Sequence, residues 1–135
     1  MVTIGNGTEY ISLEVTRHFP VSDNQPWEAY FLRVSGKCSF LSFDLDPVDA
    51  HKTELEKWYH KLKECYDALS DECVVERFGY NENFSLRLRF EKTGRVAVTA
   101  VIADPTVENK CEIRFYTDQT FIAITLDQIK QTFGF

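Results

Sequence analysis

The sequence predicts an α+β fold. Its main body is an antiparallel sheet of about seven or eight strands, with one long amphipathic helix over about residues 53–69 packed on it and a short C-terminal helix. Three observations carry this reading. Period-two alternation recurs along the chain and is strict from Phe84 to Glu91, where Phe84, Leu86, Leu88 and Phe90 alternate with Ser85, Arg87, Arg89 and Glu91. A single stripe at three- and four-residue steps (Leu55, Trp58, Tyr59, Leu62, Cys65, Tyr66 and Leu69) marks one helix. Most connections between alternating segments are hairpin-length, which favours antiparallel neighbours. Eleven Phe and six Tyr add to the sheet propensity.

The elements follow in order. Tyr10–Phe19 alternates Ile11, Leu13 and Val15 with Ser12, Glu14 and Thr16, a half-buried strand. Pro20 to Pro26 is turn-rich, and Trp27–Ser35 sets Tyr30, Leu32 and Val34 opposite Ala29, Phe31 and Arg33. Gly36-Lys37 reads as a tight turn into a third strand, Cys38–Leu45, which ends in the Asp46-Pro47 turn. Thr53 with Glu56 fits a capping box at the helix start, Asp49 is an alternative cap, and Ser70-Asp71 ends the helix. Strands are then expected over Cys73–Phe78, Phe84–Glu91 and Arg95–Ala103, the last two joined by Lys92-Thr93-Gly94. Asp104-Pro105 opens a polar loop to Lys110, followed by strands Cys111–Tyr116 and Thr120–Ile124. A short helix capped by Thr125 with Gln128 buries Leu126, Ile129 and Phe133. No internal repeat, linker or low-complexity segment is visible.

At 135 residues the chain reads as one domain, 1–135, long enough to bury a core without metal or disulfide staples. No apolar run approaches a membrane span, and the start lacks a signal-peptide pattern, so a cytoplasmic location is expected. Cys38, Cys65, Cys73 and Cys111 form no Cys-x-x-Cys pair; their even number leaves two disulfides open, and reduced core cysteines are the better reading for a cytoplasmic chain. Net charge is −6, and its distribution is uneven. Residues 1–52 carry seven acids and four bases, residues 53–72 six and three, and residues 73–135 eight of each. An acidic first half argues against sequence-blind nucleic-acid binding and for a basic partner, if a charged one.

Asp44, Asp46, Asp49 and His51 invite a metal reading. Their spacing lacks the glycine and bidentate glutamate of a calcium loop, and one histidine is too few for zinc. Aspartates ahead of a helix are also expected at its positive end. No nucleophile elbow or phosphate loop occurs, so neither an enzyme nor a cofactor is expected. His60 lies beside the helical stripe and reads as a surface residue. Arg87, Arg89, Lys92 and Arg95, with Tyr80 and Phe90 near, could form a nucleic-acid face. Phe90 belongs to the inward register, however, and Glu82 and Glu91 dilute the charge, so a solvated sheet face is the better reading.

Several cues occur in a familiar order: His18-Phe19-Pro20 after the first strand, the Trp27–Val34 strand, and Asp46-Pro47 ahead of Thr53-Glu54-Leu55-Glu56-Lys57-Trp58. Phe121-Ile122-Ala123-Ile124 then precedes the helix Leu126 to Phe133. In this order the chain resembles the WapI-like immunity family of bacterial polymorphic-toxin systems. The resemblance implies a cytoplasmic protein that binds and neutralises the toxic C-terminal domain of a cognate effector. Many such toxins are nucleases with basic surfaces, which an acidic inhibitor suits. Asp44, Asp46, Asp49, Glu54 and Glu56 cluster at one strand–helix junction and are the expected partner-binding residues. The alternative is a small accessory module binding a ligand or peptide in an aromatic-rich pocket.

Overall fold

Alternating side chains build two sheets rather than the single one expected. In the computed structural model, which describes residues 1–104 and 106–135, the first sheet contains β1 (Val2–Gly5), β2 (Tyr10–Phe19), β3 (Ala29–Cys38) and β4 (Leu41–His51). These strands form an antiparallel meander that runs into α1 (Lys52–Ala68). The order then recurs. β5 (Glu72–Val75), β6 (Phe84–Phe90), β7 (Arg95–Asp104) and β8 (Asn109–Asp118) form a second meander that runs into α2 (Gln119–Phe133). The chain is two ββββα units in tandem, a repeat of topology that leaves no trace as sequence similarity.

Inward alternation cannot tell one sheet from two, because a strand buries the same face in either. What separates the sheets is α1, whose buried stripe of Leu55, Trp58, Leu62 and Cys65 sits between the last strand of one and the first of the other. The units also interlock. α2 of the second unit lies along β1 of the first, and the two helices pack on each other. One continuous hydrophobic cluster results, running from Val2 and Ile4 through Leu62 to Ile129 and Phe133.

β1, which the alternation pattern did not reveal, is the place where the units are sewn together. A sheet-edge strand needs partners for its outward backbone groups. Here Thr3 N–H donates to Gln128 Oε1 at 2.8 Å, and the buried Thr125 hydroxyl donates to Thr3 O at 2.6 Å. The Thr117 hydroxyl donates to Gly5 O, and Asn6 Nδ2 donates to Tyr116 O at 2.8 Å.

Several local expectations are corrected. Residues Thr120–Ile124 are the first turns of α2, not a strand, and Thr125 is buried inside the helix rather than capping it. The cap is Asp118, whose carboxylate accepts from the amides of Thr120 and Phe121 at 2.9 and 3.2 Å. A short β-branched apolar run fits strand or helix, and burial of Ile122 with Leu126, Ile129 and Phe133 decides for helix. The expected capping box of Thr53 and Glu56 is unused. β4 runs directly into α1 with His51 as the N-cap residue, and neighbouring carbonyls take the first amides: His51 N–H to Phe78 O at 2.9 Å, Lys52 N–H to Glu28 O at 3.0 Å.

Gly36-Lys37 lies within β3, and the turn falls at Ser39-Phe40, where Ser39 has φ 54°. Gly36 is needed because the Phe43 ring occupies the space a Cβ would fill. Asp46-Pro47, joined by a cis peptide, lies inside β4 rather than ending it. Proline is tolerated there because β4 is an edge strand. The strand expected over Cys73–Phe78 stops at Val75. Of the loop expected from Asp104, Pro105 lies outside the described residues, and β8 already begins at Asn109. Cys65 and Cys73 are core residues as expected, but Cys38 is half-buried and Cys111 exposed.

Candidate partner-binding site

β4 leads its acids along one edge of the first sheet into α1, and the structure gives each a different neighbourhood. Asp44 stands on the outer face, opposite Ser35, and accepts from Arg33 Nε at 3.0 Å. This guanidinium holds the Asp44 carboxyl below the usual range, with desolvation opposing. Asp46 is exposed beside the same arginine, whose charge it helps to stabilise. Asp49 turns its carboxylate onto the β5–β6 loop, accepting from the Tyr80 and Asn81 amides at 2.6 and 2.8 Å. Gly79 is what lets the loop approach, since a Cβ there would lie 2.3 Å from Asp49 Oδ2. Glu54, in the first turn of α1, meets Lys57 Nζ at 3.3 Å. Glu56 projects from the exposed face of the helix. The five therefore follow β4 into α1, each with its own neighbours.

Near the β4–α1 junction sits a group of aromatics that their spacing in the sequence does not bring together. His51 lies between Trp27 and Tyr80, with ring centroids 6.4 and 4.8 Å away. Trp27 is 45% exposed and Tyr80 72% exposed, so the two flank the His51 ring as exposed aromatic surface. Below them Glu28 joins the ends of β2, β3 and α1: its carboxylate meets Lys52 Nζ at 3.1 Å and His18 Nε2 at 2.6 Å, and accepts from Tyr30 Oη at 3.1 Å. Hydrogen bonds from Lys52 and then His18 lower the Glu28 pKa, while burial and the Glu28 charge push Tyr30 up to about 12.

Among the described residues no group of three or more His, Cys, Asp or Glu is placed to hold a metal ion. Asp49 accepts from the Tyr80 and Asn81 amides, the His51 ring packs between Trp27 and Tyr80, and His60 is exposed. Among the described residues no helix is long and apolar enough to cross a membrane. The hairpin arginines also divide. Phe90 is inward and buried, and Tyr80 belongs to the aromatic shoulder, so neither joins Arg87 and Arg89. Those arginines instead face Arg114 across a groove of about 580 Å³ on the second sheet.

The fold has relatives among solved structures. The plant transcriptional regulator PBF-2 superposes with a TM-score of 0.55 at 8% identity, over 97% of this chain and 78% of that one. WHY3 from Arabidopsis thaliana gives 0.52 at 7% identity, covering 97% and 84%, and WHY1 from the same plant gives 0.52 at 9%, covering 97% and 86%. At these identities the likeness is one of fold. No curated protein matches the chain. The sequence itself matches the immunity protein WapI-like family over residues 2–134, both ββββα units together, and the chain belongs to that family.

Proposed function

We propose that the protein neutralises the toxic domain of a cognate bacterial effector by binding it in the cytoplasm, without catalysis, through the β4–α1 shoulder. Membership of an immunity family implies a toxin protein as partner. The observation that carries the choice of surface is the exposed pair Trp27 and Tyr80 around His51, on the junction that also bears the acids. Protein interfaces concentrate binding energy in aromatic anchors, and charges around them steer the encounter. Asp46, Glu54 and Glu56 are the acids free enough to meet a basic toxin, possession of a nuclease-like basic face being part of the proposal. Asp44 contributes from within its pair with Arg33. Asp49 serves by fixing the loop that carries Tyr80.

The test is association with the toxin domain co-purified from the source cell. Asp46→Lys, Glu54→Lys and Glu56→Lys together are expected to slow association by about tenfold or more at low ionic strength, the gap narrowing as salt rises. Trp27→Ala and Tyr80→Ala are expected to speed dissociation instead and to abolish rescue of toxin-expressing cells. Unchanged association and dissociation across both sets would remove this shoulder from the interface.

A further inference from the structure

The second sheet has an outer face of a different kind. Along the middle of β7 the outward positions Ala97, Thr99 and Val101 are small, while Arg87 and Arg89 of β6 and Arg114 and Tyr116 of β8 stand on either side. Register places Arg87, Thr99 and Arg114 in one row across the sheet, and Arg89, Ala97 and Tyr116 in the next. The result is a trough floored by Ala97 and Thr99, with Arg87 and Arg89 on one wall and Arg114 and Tyr116 on the other; Asn6 and Glu9 of the β1–β2 turn and Glu72 of β5 also line it. Strand spacing makes it about 9.6 Å wide between the β6 and β8 rows, room for one extended chain.

The arginines are poorly committed. Arg87 Nε lies 3.7 Å from Glu72 and Arg89 Nη2 3.9 Å from Glu91, both beyond hydrogen-bond distance, and each arginine side chain is 56% exposed. Arg114 meets Glu112 at 3.0 Å and is 72% exposed. Exposed pairs of this sort hold little free energy, so a better carboxylate partner displaces them readily.

We infer that this trough is a docking site for an extended, acidic polypeptide segment with Asp or Glu at alternate positions. Arg87 and Arg89 are two residues apart on one strand, which sets them about 6.8 Å apart along the trough. Alternate side chains of an extended peptide have that same spacing, and guanidinium groups take carboxylates in paired hydrogen bonds. The small floor residues Ala97 and Thr99 let the peptide backbone come down between the walls. A single-stranded nucleic acid fits less well. It needs open aromatic faces for its bases; of the two aromatics lining the trough, Phe115 is buried and Tyr116 carries the Arg95 guanidinium 4.2 Å from its ring centroid.

The test uses the whole chain and three fluorescein-labelled probes: a peptide alternating Glu and Thr, an isomer with its Glu residues in one block, and oligo-dT of equal charge. The alternating peptide is expected to bind most tightly, with Arg87→Glu/Arg89→Glu weakening it roughly tenfold. Amide shifts on the unaltered protein are expected at Ala97, Thr99 and Arg114, which secures the site whether or not the double variant folds. The inference is overturned if the block isomer or oligo-dT binds as tightly as the alternating peptide. It is equally overturned by shifts that fall on β4 and α1, or by no binding at millimolar peptide.

Discussion

The two ββββα units share a topology and differ in nearly everything they show to solvent. Residues up to Asp71, the first unit with its helix, hold the chain's surplus of acids, and the second unit is close to neutral. The first presents aromatics and carboxylates on a strand–helix shoulder, the second a trough of arginines above small residues. Inward positions decide the fold and accept the same apolar alternation in both units. Outward positions are free of that demand, so two copies of one architecture can carry opposite chemistries.

Different as their surfaces are, the units share one core and should unfold together, which matched core truncations test hardest. Leu62 in α1 and Ile129 in α2 are both fully buried, and Leu62→Ala and Ile129→Ala should each cost about 2–5 kcal/mol. Both are expected to lower a single urea transition followed by circular dichroism and by tryptophan fluorescence. Separate transitions would show two independently folding halves.

A smaller effect comes from the loop clamp. Asp49→Ala removes the acceptor of two backbone amides and should cost about 1–3 kcal/mol, with faster hydrogen exchange confined to Tyr80 and Asn81. Exchange unchanged at those amides would show that the loop holds itself.

The starts of the two helices differ next. Asp118→Ala should cost about 1 kcal/mol by removing the α2 cap, whereas Thr53→Ala, where backbone carbonyls already take the first amides, should leave the urea midpoint nearly unmoved. Equal losses would erase the distinction between the two helix N-termini.

The smallest expected effect is a pH dependence specific to the first unit. Glu28 has its pKa lowered in the folded state, so its pairing stabilises above the ordinary glutamate range and is lost as pH falls through the folded value. Glu28→Gln should therefore reduce stability at pH 7 and show a shallower loss toward acid than the parent, read from urea midpoints across pH. Parallel curves for the two proteins would discharge Glu28 from this role.

Much of the architecture was legible because burial wrote itself into spacing. Phe84 to Phe90 and the stripe from Leu55 to Cys65 lie where period-two and helical patterns put them. β1 was not, since four residues are too few to establish a period. Asp46-Pro47 looked like a turn because the dipeptide prefers one, and only its edge position makes strand possible. The shoulder's acids were visible as a cluster in sequence. Their separate fates were not, because the partners of Asp49 lie about thirty residues later and Arg33 reaches Asp44 from the neighbouring strand. The trough was invisible for the same reason: Arg114 meets Arg87 only through the register of three strands.

The stitching of β1 to α2 has a consequence for how the molecule forms. The contact from Thr3 to Gln128 closes a loop of 125 residues, and its closure entropy must be met before that contact contributes anything. Collapse of the first meander can precede it, but that meander then carries an open edge, the kind of surface that recruits strands from other chains. Until α2 covers that edge, the chain is expected to be at its most exposed to aggregation.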